Sequence, residues 1–191
     1  LDTIQDSPLF IKEAEVDWVS EEPFSKEHQD HYFSKGKAVE EAEFVFIGGN
    51  NLKERWSKLK EREVFNIVEL GFGSAINFLT TVKTWVEYKK TNTWLNYLSI
   101  ENRPLSFDDI KKTLKRHDEL ATFSKILLEN YPINCQGLQR IEFTKENISL
   151  TVYFGEVIPC LKDLDPKQVS FDACFHDGFA PQRNKEMWSP E

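Results

Sequence analysis

Cysteine is scarce: Cys135, Cys160 and Cys174 are the only three among 191 residues. They are odd in number and too widely spaced for a disulfide framework or a zinc cluster, which excludes a cross-linked secreted scaffold and leaves no metal site to expect. A reducing cytoplasm is the simplest setting. Long apolar runs are missing too, since none approaches the roughly 20 residues of a membrane span. The start, LDTIQDSPLF, lacks the basic segment and apolar core of a secretory signal. A soluble chain without a membrane partner is the expectation. Nor is there a basic surplus: 24 Lys and Arg face 32 Asp and Glu, a formal net charge of -8. That balance argues against gripping nucleic acid through a broad basic surface. Only local clusters remain, Lys111, Lys112, Lys115 and Arg116 on a predicted helix and Arg183 with Lys185 further on, and such runs usually make solvated faces. Internal repeats and low-complexity stretches are also absent. A chain that is 40% hydrophobic and 29% charged over this length can bury one core. Residues 1–60 read as an N-terminal extension packed on a core of residues 61–191.

The most informative stretch is FNIVELGFGSAINF, Phe65 to Phe78, where an apolar strand runs through a glycine-punctuated turn into a helix. Val64, Ile67, Val68 and Leu70 supply the apolar run of a parallel strand covered on both faces. Gly71 and Gly73 let the backbone turn and a ligand approach, and the turn presents helix amides to an anionic group. The helix should span about Ser74 to Lys90, with Phe78, Leu79, Val82, Trp85 and Val86 at core spacing. Upstream, AEFVFIGGN reads as a strand of a small β extension. Downstream, WLNYLSIE is a second strand ending at Glu101, and Ser106 with Asp109 caps a helix whose pattern continues until Tyr131-Pro132. LQRIEF and ISLTVYF read as a hairpin or adjacent strands, followed by a short helix near Val157 to Leu164 and a last strand, VSFDACFHD. Alternating strands and helices imply a doubly wound, Rossmann-like α/β sheet, whose ligands bind outside the carboxyl ends of the strands.

Four features fall at such ends: Glu69 to Gly73, Glu101, Gly155-Glu156 and Asp177-Gly178. A glycine loop followed by an acid at the second strand end suits a nucleoside, because a carboxylate accepts hydrogen bonds from both ribose hydroxyls. Ile76 stands where the dinucleotide fingerprint needs its third glycine. Glu101 also lies 30 residues past Gly71, where about 20 is usual. A nicotinamide enzyme is the weaker reading, and S-adenosylmethionine fits better. Glu69 would meet its ammonium group, the Gly71 to Ser74 backbone its carboxylate, Glu101 its ribose and Glu156 its adenine edge. Asp177 would orient an acceptor amine, and Phe179-Ala180-Pro181 would wall the acceptor pocket, with the ring stacking on a base. His176, one strand position before Asp177, should point the other way as a structural histidine.

The segments ELGFGSAINF, YLSIENRPLS, VYFGE and FDACFHDGFAPQRNKEMWSPE, with HYFS and FVFIGGNNLKERW upstream, resemble one bacterial family. It is the methyltransferase half of the tRNA 5-methylaminomethyl-2-thiouridine biosynthesis bifunctional enzymes, MnmC, with their stand-alone relatives, MnmD. The resemblance runs from about Tyr32 to Glu191. It implies a class I methyltransferase that binds S-adenosylmethionine and methylates the aminomethyl group on a wobble uridine of tRNA. In the fused enzymes a flavin-dependent oxidase supplies that amine; nothing flavin-like is present here, so a separate oxidase is the implied partner. Carried over by position, Glu69, Gly71, Phe72, Gly73, Ser74, Asn77, Glu101, Gly155 and Glu156 hold the cofactor. Asp177 and Phe179 are the catalytic pair, and Gly178, Pro181 and Asn50 contact substrate.

The sequence departs from the family pattern where Ala75 replaces a usual glycine, His176 an apolar residue and Glu156 an aspartate. It also stops before the helices and strands with which relatives complete a seven-stranded sheet, so an edge without its usual neighbours is expected. Two alternatives therefore stand beside an active tRNA methyltransferase: a truncated or degenerate module without turnover, and a methyltransferase of small amines.

Overall fold

The computed structural model describes residues 9–132, 134–165, 167–184 and 188. The first eight residues, Lys185, and the Met-Trp-Ser-Pro-Glu motif apart from Trp188 lie outside them.

Five strands form the main sheet in the order β6-β7-β5-β4-β8. Strand β4 (Val64–Leu70) lies between β5 (Trp94–Glu101) and β8 (Ala173–His176), parallel to both, and β7 (Ile148–Phe154) runs parallel to β5. Strand β6 (Gly137–Phe143) closes one edge antiparallel to β7, the hairpin that LQRIEF and ISLTVYF predict. The chain thus moves outward from β4 in one direction, then returns to place β8 on its other side. That reversal opens a crevice at the carboxyl end of β4, where a doubly wound sheet binds its ligands.

Helix α3 (Ile76–Tyr88) covers one face with Phe78, Leu79, Val82 and Trp85 fully buried, as its 3.6-residue spacing requires. It packs with α2 (Leu52–Ser57), α1 (Ala38–Ala42) and α5 (Ala121–Glu129) over Phe65, Ile67, Tyr97, Phe154 and Phe175. The other face carries a smaller cluster, Val68, Leu70, Ile100 and Cys160, the last from α6 (Val157–Asp163). Covering on both faces therefore holds for the middle of β4, while Val64 at its start is 47% exposed.

Three segments depart from the sequence expectation. AEFVFIGGN is not a strand: α1 continues into a wider π-type helix, Glu43–Gly48. Its β-prone Phe, Val and Ile hide a helical pattern in which Ala38, Ala42, Phe46 and Ile47 are buried, so tertiary packing overrides propensity. The long helix before Tyr131 is broken into α4 (Phe107–Leu114), a 3-10 turn (Asp118–Leu120) and α5. Ser106 does cap α4, accepting from the Asp109 amide at 3.1 Å and donating to its carboxylate at 2.6 Å. The last strand is shorter than VSFDACFHD, only Ala173–His176.

The β extension exists, but it comes from residues before the AEFVFIGGN segment. Strands β1 (Val16–Val19), β2 (Glu22–Ser25) and β3 (Asp30–His31) form a small antiparallel sheet. Trp18 fixes it to α4, donating its indole N–H to Asp109 at 3.2 Å while the Lys112 ammonium sits 3.6 Å from its ring centre. Arg116 pairs with Glu21. Part of the basic cluster on α4 thus anchors the extension. No helix among the described residues is long and apolar enough to cross a membrane.

Candidate active site

The backbone ladder continues past each strand end and sets the site residues in register. Gly71 donates to the Ile100 carbonyl at 2.9 Å, Gly155 to the Glu101 carbonyl at 2.9 Å, and Asp177 to the Leu70 carbonyl at 3.1 Å. Four neighbouring strand ends therefore present Gly71, Glu101, the Gly155-Glu156 turn and Asp177 side by side.

A cavity of about 1200 Å³ opens above this row. Of the residues singled out by sequence, Gly71, Phe72, Gly73, Ser74, Asn77, Glu101, Glu156, Asp177, Gly178 and Phe179 line it. Glu69, Gly155, Pro181 and Asn50 do not. Asn50 instead donates its side-chain amide to the Phe46 carbonyl at 3.0 Å. Carboxylates, among them Glu27, Asp30, Glu41, Glu101, Glu156 and Asp177, outnumber the basic lining residues Lys35 and Arg103. Such a chamber favours cations and disfavours phosphates.

The glycine loop takes left-handed backbone at Gly71 (φ 98°) and Gly73 (φ 49°), which only glycine adopts without strain. It carries the Gly73 amide to Glu101, whose Oε2 accepts at 2.9 Å, while Oε1 accepts from the Arg103 amide at 2.8 Å. Burial raises the Glu101 pKa, and these backbone donors oppose the rise. Each oxygen keeps a second lone pair, so the carboxylate can still accept from vicinal hydroxyls in the cavity. Ala75, the next residue but one, is buried and left-handed at φ 65°, which costs a side chain with a Cβ about 1–2 kcal/mol.

Glu69 lies behind the cavity wall, fully buried. It accepts from the Ser99 hydroxyl at 2.7 Å and from the Asn77 side-chain amide at 3.1 Å. The same Asn77 nitrogen donates to Asp177 at 2.6 Å, so one carboxamide joins two carboxylates across adjacent strands. Burial pushes Glu69 up to about 8, against the Ser99 bond. Burial likewise raises Asp177 to about 6, against the Asn77 bond. A poorly solvated pair of acids bridged by a neutral donor gains by receiving a cation.

Two further residues complete the wall. Alternation along β8 predicts His176 turned away as a structural histidine; instead its ring is exposed in the cavity lining, stacked on Trp188 at 4.1 Å and 14°. Trp188 also donates its indole N–H to the Phe179 carbonyl at 2.9 Å and so holds the segment after Asp177. Phe179 itself stacks on His28 and meets the edge of Tyr32, both from the N-terminal extension. Nothing in the local sequence marks His28, because its contact is made across the whole chain.

A Rossmann-like sheet with a glycine loop after β4, a ribose-competent acid after β5 and a half-buried acid after β8 defines the class I methyltransferase arrangement. The glycine cradle and the acid-rich chamber fit S-adenosylmethionine, whose ammonium and sulfonium groups are both cationic. Comparison with known proteins points the same way. Residues 118–191 match the family described as S-adenosyl-L-methionine-dependent methyltransferase. The chain is 35% identical over 188 residues to the tRNA 5-methylaminomethyl-2-thiouridine biosynthesis bifunctional protein MnmC of Legionella pneumophila (strain Lens), an alignment covering 92% of this chain and 28% of that protein. It is 38% identical over 177 residues to the protein of that name from Hahella chejuensis, with the same coverage. A solved structure, MNMC2 from Aquifex aeolicus, superposes with a TM-score of 0.68 at 22% identity, covering 93% of this chain and 53% of that one, a likeness of fold. Residues 118–191 thus carry a match to an S-adenosyl-L-methionine-dependent methyltransferase family, and 92% of the chain is similar to part of the MnmC proteins. It spans about 28% of the length of these curated relatives.

Proposed function

We propose that this chain transfers a methyl group from S-adenosylmethionine to the aminomethyl nitrogen of 5-aminomethyl-2-thiouridine at the tRNA wobble position. The observation that carries the reading is the placement of Asp177. Its half-buried carboxylate stands at the end of β8 beside a glycine, tied by Asn77 to the buried Glu69 and walled by Phe179. The curated relatives, named for biosynthesis of the methylated nucleoside in tRNA, supply the acceptor class.

When bound, S-adenosylmethionine supplies an electrophilic methyl group on a sulfonium. Glu101 accepts from the ribose hydroxyls, the Gly71 to Ser74 loop offers backbone amides to the carboxylate, and Glu156 borders the adenine. Glu69 acts on the ammonium end through Asn77, since its own carboxylate is sealed from the cavity. Asp177 accepts a hydrogen bond from the acceptor amine and aligns its lone pair with the methyl carbon, so alignment contributes more than strong basicity. Phe179 gives the uridine ring an apolar face. The acidic chamber keeps phosphates at its rim and admits only the base and its cationic arm. A separate flavin-dependent oxidase acting beforehand would provide the amine, and both would work in the cytoplasm.

The acidic chamber also suits a small amine, and one experiment separates the two. Purified chain is incubated with methyl-labelled S-adenosylmethionine and either tRNA from cells lacking the methylation or a panel of small amines. Label in tRNA, recovered as the methylaminomethyl nucleoside, supports the reading. Label only in small amines overturns it. Absence of label from a folded protein that binds the cofactor leaves a module without turnover.

A further inference from the structure

The N-terminal extension does more than border the core. The turn between β2 and β3 reaches the segment after β8 and grips it from both sides, 155 residues away in sequence. The His28 ring nitrogen Nδ1 meets the Arg183 carbonyl at 3.2 Å, and the Arg183 guanidinium donates to the His28 carbonyl at 3.2 Å. Arg183 also lies 3.8 Å from the Asp30 carboxylate. Within this clasp the His28 imidazole stacks on Phe179, with ring centres 4.4 Å apart and planes 24° off parallel. Tyr32 closes the corner edge-on, its ring 5.2 Å from Phe179, and lies in van der Waals range of Gly73, where an added Cβ would sit 3.6 Å from its Cδ1. His28, Tyr32 and Phe179 all line the cavity.

We propose that His28 is an acceptor-binding residue: the nucleobase inserts between the His28 and Phe179 rings and is held in a three-layer stack. The proposal rests on the tRNA reading above and deepens it by naming what grips the base. Two flat aromatic faces already parallel are what a planar base needs, and stacking of this kind tolerates any base while Asp177 reads the aminomethyl arm. Inserting one ring at about 3.5 Å from each neighbour sets the outer rings about 7 Å apart. From 4.4 Å that asks for an opening of a few ångströms, which a turn held by three polar contacts can supply and a sheet strand cannot. His28 touches Phe179 and Arg183, both after Asp177, so it belongs to the acceptor side, while Tyr32 bridges toward the glycine loop.

The test measures binding, independent of turnover. An anticodon stem-loop RNA carrying 5-aminomethyl-2-thiouridine is titrated calorimetrically into protein saturated with S-adenosylhomocysteine, for wild type, His28→Ala and His28→Phe. Loss of one stacking face should weaken RNA binding about tenfold in His28→Ala. His28→Phe, which keeps an aromatic face, should stay within about threefold of wild type. The S-adenosylhomocysteine affinity should be the same in all three, which also shows that each variant is folded. Equal RNA binding by wild type and His28→Ala overturns the stack. Tighter binding by His28→Ala overturns it too, since the ring would then be a plug. Wild type that binds S-adenosylhomocysteine and no RNA overturns the tRNA reading itself, and this proposal with it.

Discussion

The two ends of the cavity are built in different ways. The cofactor end is made by backbone: adjacent parallel strands, bonded one residue past their ends, fix Gly71 and Glu101 before any side chain acts. The acceptor end is made by side chains from distant segments, His28 and Tyr32 on Phe179, Trp188 on His176 and on the Phe179 carbonyl. A ladder of parallel strands cannot shift one member without breaking its neighbours' bonds, whereas ring stacks and a salt link can part and re-form. The molecule thus has one end fixed by backbone and one that can part and re-form, the division that the proposed pairing of a small cofactor with a base on a large polymer calls for.

The sharpest way to break this contrast is at Glu101. Glu101→Ala removes an acceptor that holds the Gly73 and Arg103 amides, and hydrogen bonds to charged groups are worth about 1.5–3 kcal/mol each. Calorimetry should show S-adenosylmethionine binding weakened by about 100-fold or more; an unchanged Kd would mean that the glycine loop holds the cofactor without this acid. Asp177→Asn, at the other end, should lower kcat about 100-fold while Kd for S-adenosylmethionine stays within about threefold. In the wild type, kcat should rise with pH as the Asp177 carboxylate forms near 6, and a profile flat through that region would remove the carboxylate from the reaction.

A subtler contrast lies in pH and stability. Burial holds the folded Glu69 pKa near 8, above its ordinary 4.5, so its contribution is fully present below pH 4.5 and is lost as pH rises through 8. Thermal melts of Glu69→Gln should fall less between pH 5 and 8 than those of wild type, with the difference levelling off above pH 8. Parallel curves would indicate that the carboxyl ionises without cost. The smallest effect is expected at Ala75→Gly, which relieves a left-handed Cβ at the price of some chain entropy. A net gain of about 0.5–1 kcal/mol should raise Tm by roughly 1–4 °C, and a lower Tm would show that the methyl group packs better than its backbone is strained.

What was legible in the sequence follows the same division. Strands β4, β5, β6 and β7 follow from apolar runs, and Gly71, Glu101, Glu156 and Asp177 are recognisable because strand ends of a parallel sheet are where such residues gather. The Ser106 cap is equally local. Residues 43–48 were not legible, because Phe, Val and Ile favour strands in isolation and only burial against α3 makes them helical. The seclusion of Glu69 behind Asn77 escaped as well, since alternation tells which face a strand residue takes and not what covers it. His28, Trp18 and Trp188 carry no local signal. Their partners, Phe179, Asp109 and His176, are set by the fold.

Strand β8 pairs with β4 although more than a hundred residues of chain lie between them. During synthesis at roughly 5–20 residues per second, β4 waits roughly five to twenty seconds before the neighbour that carries Asp177 leaves the ribosome. His28, made earlier still, waits longer for Phe179, which follows β8 in the chain. The nascent chain can therefore assemble its glycine loop and Glu101 while β4 still has a bare edge, and it sets Asp177 in place only when β8 pairs there and becomes the outer strand. Under the proposed function, chemical competence is thus the last property this sheet acquires, arriving with the strand that carries Asp177.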